Sequence, residues 1–175
     1  MVDMPRLILS PLHYSKKLAL VGLACLASST ATHPQQLLTQ KALSVDAAIA
    51  IAHGALDTCH ASGYQISLTI LDSSGLIKVQ LRGDSTGPHT LEHSRRKAYT
   101  ALTFKRPSAE TATAWASSTT PPPVIENTVA AAGGVPIKVG NEVIGAIGVS
   151  GAPGGDKDEA CAIAGISKIA DLLKP

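Results

Sequence analysis

From Gly133 to Gly165 the chain reads GGVPIKVGNEVIGAIGVSGAPGGDKDEACAIAG. Two apolar runs, Pro136 to Val139 and Val143 to Val149, are parted by Gly140-Asn141. A two-residue Gly-Asn step between such runs predicts a β-hairpin. Gly145 and Gly148 fall inside the second strand, where glycine marks a bulge or the close approach of another backbone or a ligand. Ser150 to Gly155 is then a loop, and Asp156 or Asp158 caps a helix. Along that helix Cys161, Ile163, Ala164, Ile166, Ile169 and Leu172 recur at helical spacing. The loop has two readings. Glycine-rich turns before a helix can cradle an anion on their backbone amides. They can also be plain connections that need positive φ. Neither GxxxxGK[ST] nor a clean GxGxxG occurs, so no nucleotide is implied.

A second hairpin lies upstream. Ile66, Leu68 and Ile70 alternate with Ser67 and Thr69, and Ile77, Val79 and Leu81 alternate with Lys78, Gln80 and Arg82. Period two predicts one buried and one polar face, with Asp72 to Gly75 as the turn. Before it, Ser44 caps a helix whose stripe is Ala48, Ile51, Ala52, Ala55, Leu56 and Cys59, stopped at Gly63. His53 and His60 sit on that helix and read as a solvated face. The domain is thus one α/β unit of two hairpins and flanking helices, over residues 44–175.

The N-terminal residues read differently. Lys16-Lys17 precedes the apolar run Leu18 to Ala27, and Ser28 to Ala31 are small. That order is the anatomy of a secretory signal over residues 1–31, with the mature chain beginning near Thr30 to Thr32. The run is too short to span a bilayer. Cys25 invites thought of a lipid anchor, but Gly22 stands where such a site wants Leu. Residues 32–43 are a loose arm. The expected location is therefore periplasmic or secreted, with no membrane span in the mature form.

Composition narrows the partners. The 175 residues carry 15 Lys and Arg against 13 Asp and Glu, a net charge of +2. Nucleic-acid binding wants a concentrated basic face and, for single strands, stacking rings. Aromatics here are 3% of the chain, which argues against both. With Cys25 gone, Cys59 and Cys161 remain; each lies on an apolar helix stripe, where a disulfide and two packed thiols are both open readings.

The stretch richest in chemistry is Gly83 to Arg106, GDSTGPHTLEHSRRKAYTALTFKR. Pro88 and Thr90 announce a helix, with Thr90 as its N-cap. His89 sits just before it and His93 one turn in, while Arg95, Arg96 and Lys97 follow. A histidine at a loop-to-helix step can offer a ring nitrogen to iron, and the basic residues can pair with ligand carboxylates. A charged solvent face with two incidental histidines is the plainer alternative. Ser150 is in no GxSxG elbow, neither Cys is in CxxC, and no HExxH occurs. Any chemistry would belong to a bound cofactor, which favours a binding protein over an enzyme. Downstream, Pro107 to Trp115 is a short helix, SSTTPPP at Ser117 to Pro123 a loop, and Val124 to Ala132 a further short helix. Trp115 reads as a core anchor or a porphyrin platform.

Three segments in this order, GYQISLTILDSSGLIKVQLR, GPHTLEHSRRKAYTALTF and GGVPIKVGNEVIGAIGVSGAPGGDKDEACAIAGI, resemble the GlcG/HbpS-type haem-binding family over about Ser44 to Leu173. The resemblance implies a profilin-like fold, an antiparallel sheet with helices on its faces, and homo-oligomers. It implies haem as ligand, in binding, sensing or degradation. Links to glycolate and corrinoid metabolism leave a second possibility, an enzyme or accessory subunit acting on a small anionic metabolite. By position, His89 matches the family's PHT step and is the candidate iron contact; His93 is its neighbour, and Arg95, Arg96 and Lys97 match the family's basic helix.

Overall fold

The computed structural model describes residues 37–120 and 125–175. The secretory signal and the start of the arm lie outside the described residues, as do Pro121 to Val124. The chain divides into two units, Met1–Leu38 and Thr39–Pro175, and the fold is that of the second. Among the described residues no helix is long and apolar enough to cross a membrane.

Four strands form one antiparallel sheet, β1 (Ser67–Asp72), β2 (Ile77–Arg82), β3 (Gly134–Val139) and β4 (Glu142–Ser150), in the order β2-β1-β4-β3. Both hairpins are where the alternation and turn residues put them, and β1 joins them by pairing with β4. Four helices flank the sheet: α1 (Val45–Ala61), α2 (Thr90–Phe104), α3 (Ser108–Ala116) and α4 (Gly155–Ser167).

Ser44 caps α1 as expected, its hydroxyl accepting from the Ala47 N–H at 3.2 Å. The apolar stripe of α1 packs with α4 and with Leu68, Ile70, Ile147 and Val149 of the central strands into the main core. Leu43, placed in the loose arm by its sequence, is buried in that core, while residues 37–42 are exposed. Ile163 and Leu172 fall outside it, and both are exposed: Ile163 lies on the outer side of α4, and Leu172 lies beyond the end of α4 at Ser167, in a short 3-10 turn at Ala170–Leu173. His53 and His60 are exposed, as their solvated-face reading requires.

The expected polar face of the first hairpin is the larger departure. Every residue from Ser67 to Leu71 is buried, since α2 covers the second face of the sheet. Its hydroxyls are paired there: Ser67 Oγ lies 2.7 Å from Thr90 Oγ1, and Thr69 Oγ1 lies 2.8 Å from Ser94 Oγ. Alternation showed which residues share a face, but a polar face meets solvent only if nothing packs on it. Here small hydroxylated side chains interdigitate, each buried pair adding about 1 kcal/mol net. Glycine lets α2 descend onto the strands. A Cβ on Gly148 would collide with the backbone of Ser94 and Ala98, and one on Gly134 with the Lys97 carbonyl. Gly148 inside β4 thus marks the approach of another backbone.

The segment 125–132 forms turns and bends, where the sequence predicts a short helix. Its carbonyls and amides are instead taken by α2 and α3: Thr100 Oγ1 accepts from the Val129 N–H at 2.9 Å, and Ser108 Oγ donates to the Ala131 carbonyl at 2.7 Å. Trp115 is half-buried and packs edge-on against Phe104, 5.7 Å between ring centres. It is an anchor between α2 and α3. Cys59 and Cys161 form a disulfide between α1 and α4, with Cα atoms 5.6 Å apart.

Candidate functional site

One cavity of about 720 Å³ opens between the first turn of α2 and the β4–α4 loop. Its size lies within the roughly 300–1,000 Å³ of cofactor and ligand sites. His89, Thr90, His93 and Lys97 line one wall, and Ser150 to Asp156 line the other. Gly63 to Gln65, Ser85 to Gly87, Ala131-Ala132 and Asp158 complete it. The two sequence stretches that carried most interest, separated by some sixty positions, are thus brought face to face.

The start of α2 differs from the expected cap. His89, with φ −72° and ψ −22°, occupies the N-cap position and makes no capping hydrogen bond. Thr90 is already helical, and its hydroxyl donates backwards to the Gly87 carbonyl at 2.7 Å while meeting Ser67. Thr90 therefore pins the helix to β1, and His89 is left exposed with no side-chain hydrogen bond among the described residues. His93 is half-buried, its Nδ1 lying 3.1 Å from Ser150 Oγ. Burial above all, then the positive charges of Lys97, His89 and Arg96, push His93 below the ordinary histidine range. That shift favours the neutral ring, the form that binds metal.

The basic triplet divides three ways. Arg96 is half-exposed and joins His89, His93, Glu92 and Val129 on an open apolar face of about 420 Å³ adjoining the cavity. Arg95 bonds Glu92 at 2.8 Å and Asn127 Oδ1 at 2.7 Å, and does not line the cavity. The two guanidiniums together hold the Glu92 carboxyl down at about 2. Lys97 is buried, its ammonium donating to Asp158 Oδ2 at 2.7 Å and to the Val149 carbonyl at 3.0 Å. It reaches the cavity as part of the wall, already paired.

That pairing decides between the two readings of the glycine loop. Asp158 does not cap α4; Gly154 stands at the N-cap. The Asp158 side chain turns back instead, taking the Ala152 N–H at 2.9 Å on its other oxygen. The loop's anion is thus an internal carboxylate. Gly151 and Gly154 have φ of +135° and +136°, conformations closed to residues with a Cβ. The loop is a connection that needs positive φ, closed over its own acid. Burial pushes Asp158 above the usual carboxylate range, opposed first by its hydrogen bond from Lys97.

Tyr64, Ser150 and Asp158 are wall residues that the sequence did not put forward as part of a ligand site: Asp158 read as a helix cap and Ser150 as a loop residue. Tyr64 lies just past the Gly63 stop of α1, and its ring also faces Lys157 at 5.7 Å. It is an aromatic surface of the cavity, where the sequence offers only Trp115 as a candidate. Ser150 has a base within reach, which its sequence context did not reveal, because the partner comes from α2.

No functionally curated protein matches the chain. Among solved structures, HbpS is 35% identical with a TM-score of 0.72, covering 77% of this chain and 94% of that one. A double mutant of Streptomyces reticuli HbpS is 34% identical with a TM-score of 0.72, covering 76% and 90%. A complex of PduOC with heme shares the fold at 22% identity and a TM-score of 0.67, covering 74% and 96%. The family model described as haem degrading protein HbpS-like matches residues 43–167. The chain belongs to the HbpS-like family.

Proposed function

We propose that the chain is an exported haem-binding protein, a sensor or scavenger, holding the ring between the first turn of α2 and the glycine loop with His89 as the iron contact. The observation that carries this reading is the meeting of the His89–His93 turn and Gly151–Gly155 across one cavity. The His89 ring lies over Gly87, at the mouth of the cavity, and Ala131, Ala132 and Tyr64 offer a flat ligand apolar surface. His89 is exposed and its ring is not engaged elsewhere among the described residues. Arg96, on the open face beside both histidines, is placed to meet a propionate; Arg95 stands behind it through Glu92. Lys97 contributes by fixing the wall. When bound, haem supplies iron redox and oxygen chemistry.

Binding is favoured over catalysis by side chains. His93 has Ser150 beside it, but no described group orients the far side of its ring as an acyl-transfer site would require. Export is supported by the charged, apolar, small order of residues 16–31, and by a disulfide that joins the two cysteines left after that segment, since disulfides persist in oxidising compartments. The family's name adds haem to the reading, and the PduOC complex shows heme on this fold in another protein. Self-association is expected from the family resemblance.

The test uses the full-length gene in an exporting host. Protein recovered outside the cytoplasm is sequenced from its N-terminus and titrated with haemin. We expect a start near Thr30 to Thr32 and a saturable Soret shift. An intact Met1 would remove signal cleavage, protein found in the cytoplasm alone would remove export, and an unchanged haemin spectrum would remove haem.

A further inference from the structure

His89 and His93 form a pair that needs no porphyrin to be useful. We propose that they jointly chelate a divalent transition-metal ion of the zinc, nickel or copper class, with water in the remaining positions and room for a small oxygen-donor ligand to replace it. The His93 N–H donates to the His89 carbonyl at 2.9 Å, so the residues are one helical turn apart on one face. Their rings are 6.4 Å apart, centre to centre, tilted by 45°. Two imidazoles sharing a metal at bonds of about 2.0–2.1 Å have centres roughly 5 Å apart. Rotation of exposed His89 closes that gap, while His93 stays anchored.

The anchor also selects the ligating atom. With Nδ1 held by Ser150 at 3.1 Å, Nε2 is the nitrogen left for a metal, the arrangement in which an outer partner orients a ligating histidine. Neighbouring cations do not stand uncompensated: Lys97 is paired with Asp158 and Arg96 with Glu92. Imidazole donors suit the borderline metals and not calcium or magnesium.

The residues His89-Thr90-Leu91-Glu92-His93 also spell H-x-x-E-H, an order found on the metal-binding helix of one class of zinc peptidases, where the glutamate serves as base. Here that role is closed, because both Glu92 oxygens are already taken by the Arg95 and Arg96 guanidiniums at 2.8 Å. No group of three His, Cys, Asp or Glu converges among the described residues, so the chelate has two protein ligands and open positions.

The experiment uses the haem-free full chain. Zn²⁺ binding is measured by calorimetry, and Cu²⁺ binding by electron paramagnetic resonance, which reports the number of nitrogen ligands. His89→Ala and His93→Ala should each weaken Zn²⁺ by more than the about 10–100-fold that loss of an outer-shell partner costs. The copper spectrum should pass from two nitrogens to one. A His53→Ala/His60→Ala control should leave both unchanged. Affinity untouched by either α2 variant, or lowered by the α1 control, would overturn the site. Because no haem is present, failure here and failure of haem binding are separate results.

Discussion

Lys97→Ala should destabilise the fold by about 3–5 kcal/mol, the cost of removing one partner of a buried ion pair. Both side chains are nearly inaccessible, at 3% and 4% exposure, so the remaining Asp158 carboxylate cannot be hydrated in place. The pair also joins three parts of the cavity wall. Lys97 belongs to α2, Asp158 to α4, and their remaining bonds run to Val149 and Ala152 on either side of Ser150. The loss should depend on pH with a definite sign. Burial already raises Asp158 in the native protein, and without Lys97 the largest opposing influence is gone. A carboxyl raised on folding lowers stability as pH climbs through its folded value and costs nothing below its unfolded one, about 3.9. The gap between wild type and variant should therefore be widest at neutral and alkaline pH and narrow in acid. Lys97→Met with Asp158→Asn should recover much of it, since the amide is uncharged and still accepts from Ala152. Urea denaturation across pH checks both points; a pH-independent gap would mean that the carboxylate is not stranded.

Replacing Cys59 and Cys161 with alanine should lower stability by about 2–5 kcal/mol. The disulfide closes a loop with a sequence separation of 102, so it restricts most of the domain from the end of α1 to the middle of α4 in the unfolded state. On the chain-entropy model a loop of that length corresponds to about 4.7 kcal/mol. The bridge ties together helices that already cross closely at Gly54 and Gly165, where an added Cβ would meet the opposite helix. Wild type unfolded under strong reductant should track the variant's curve. Coincident midpoints for oxidised wild type and the variant would show that the bridge contributes nothing.

Sheet, hairpins and main helices were legible because period-two and helical spacing report which residues share a face, and Gly140-Asn141 reports a turn. The glycine-rich step at 150–155 was legible as a break but not as to its use. Choosing between an anion cradle and a strained connection depended on Asp158, whose partner Lys97 lies 61 positions away in the chain. The same long-range pairing took Lys97 out of the set of available cations. The buried hydroxyl face of β1 was hidden for a related reason: Ser67 and Thr69 have the composition of a wet face, and only the docking of α2 through Gly134 and Gly148 makes it dry. His89 and His93 stood out in the sequence by their place at a helix start, and both line the cavity. Ser150 beside His93 was not, since a contact between a strand end and a helix leaves no local pattern.

Haemin titration of wild type beside His89→Ala and His93→Ala tests the central claim most directly. His89 is exposed, so its removal should leave the fold intact and change the iron spectrum together with a marked fall in affinity. His93→Ala should retain the wild-type spectrum, with affinity altered only as far as the cavity wall is disturbed. If both variants keep the wild-type affinity and spectrum, neither histidine holds the iron, and haem, if bound at all, is not ligated at the start of α2.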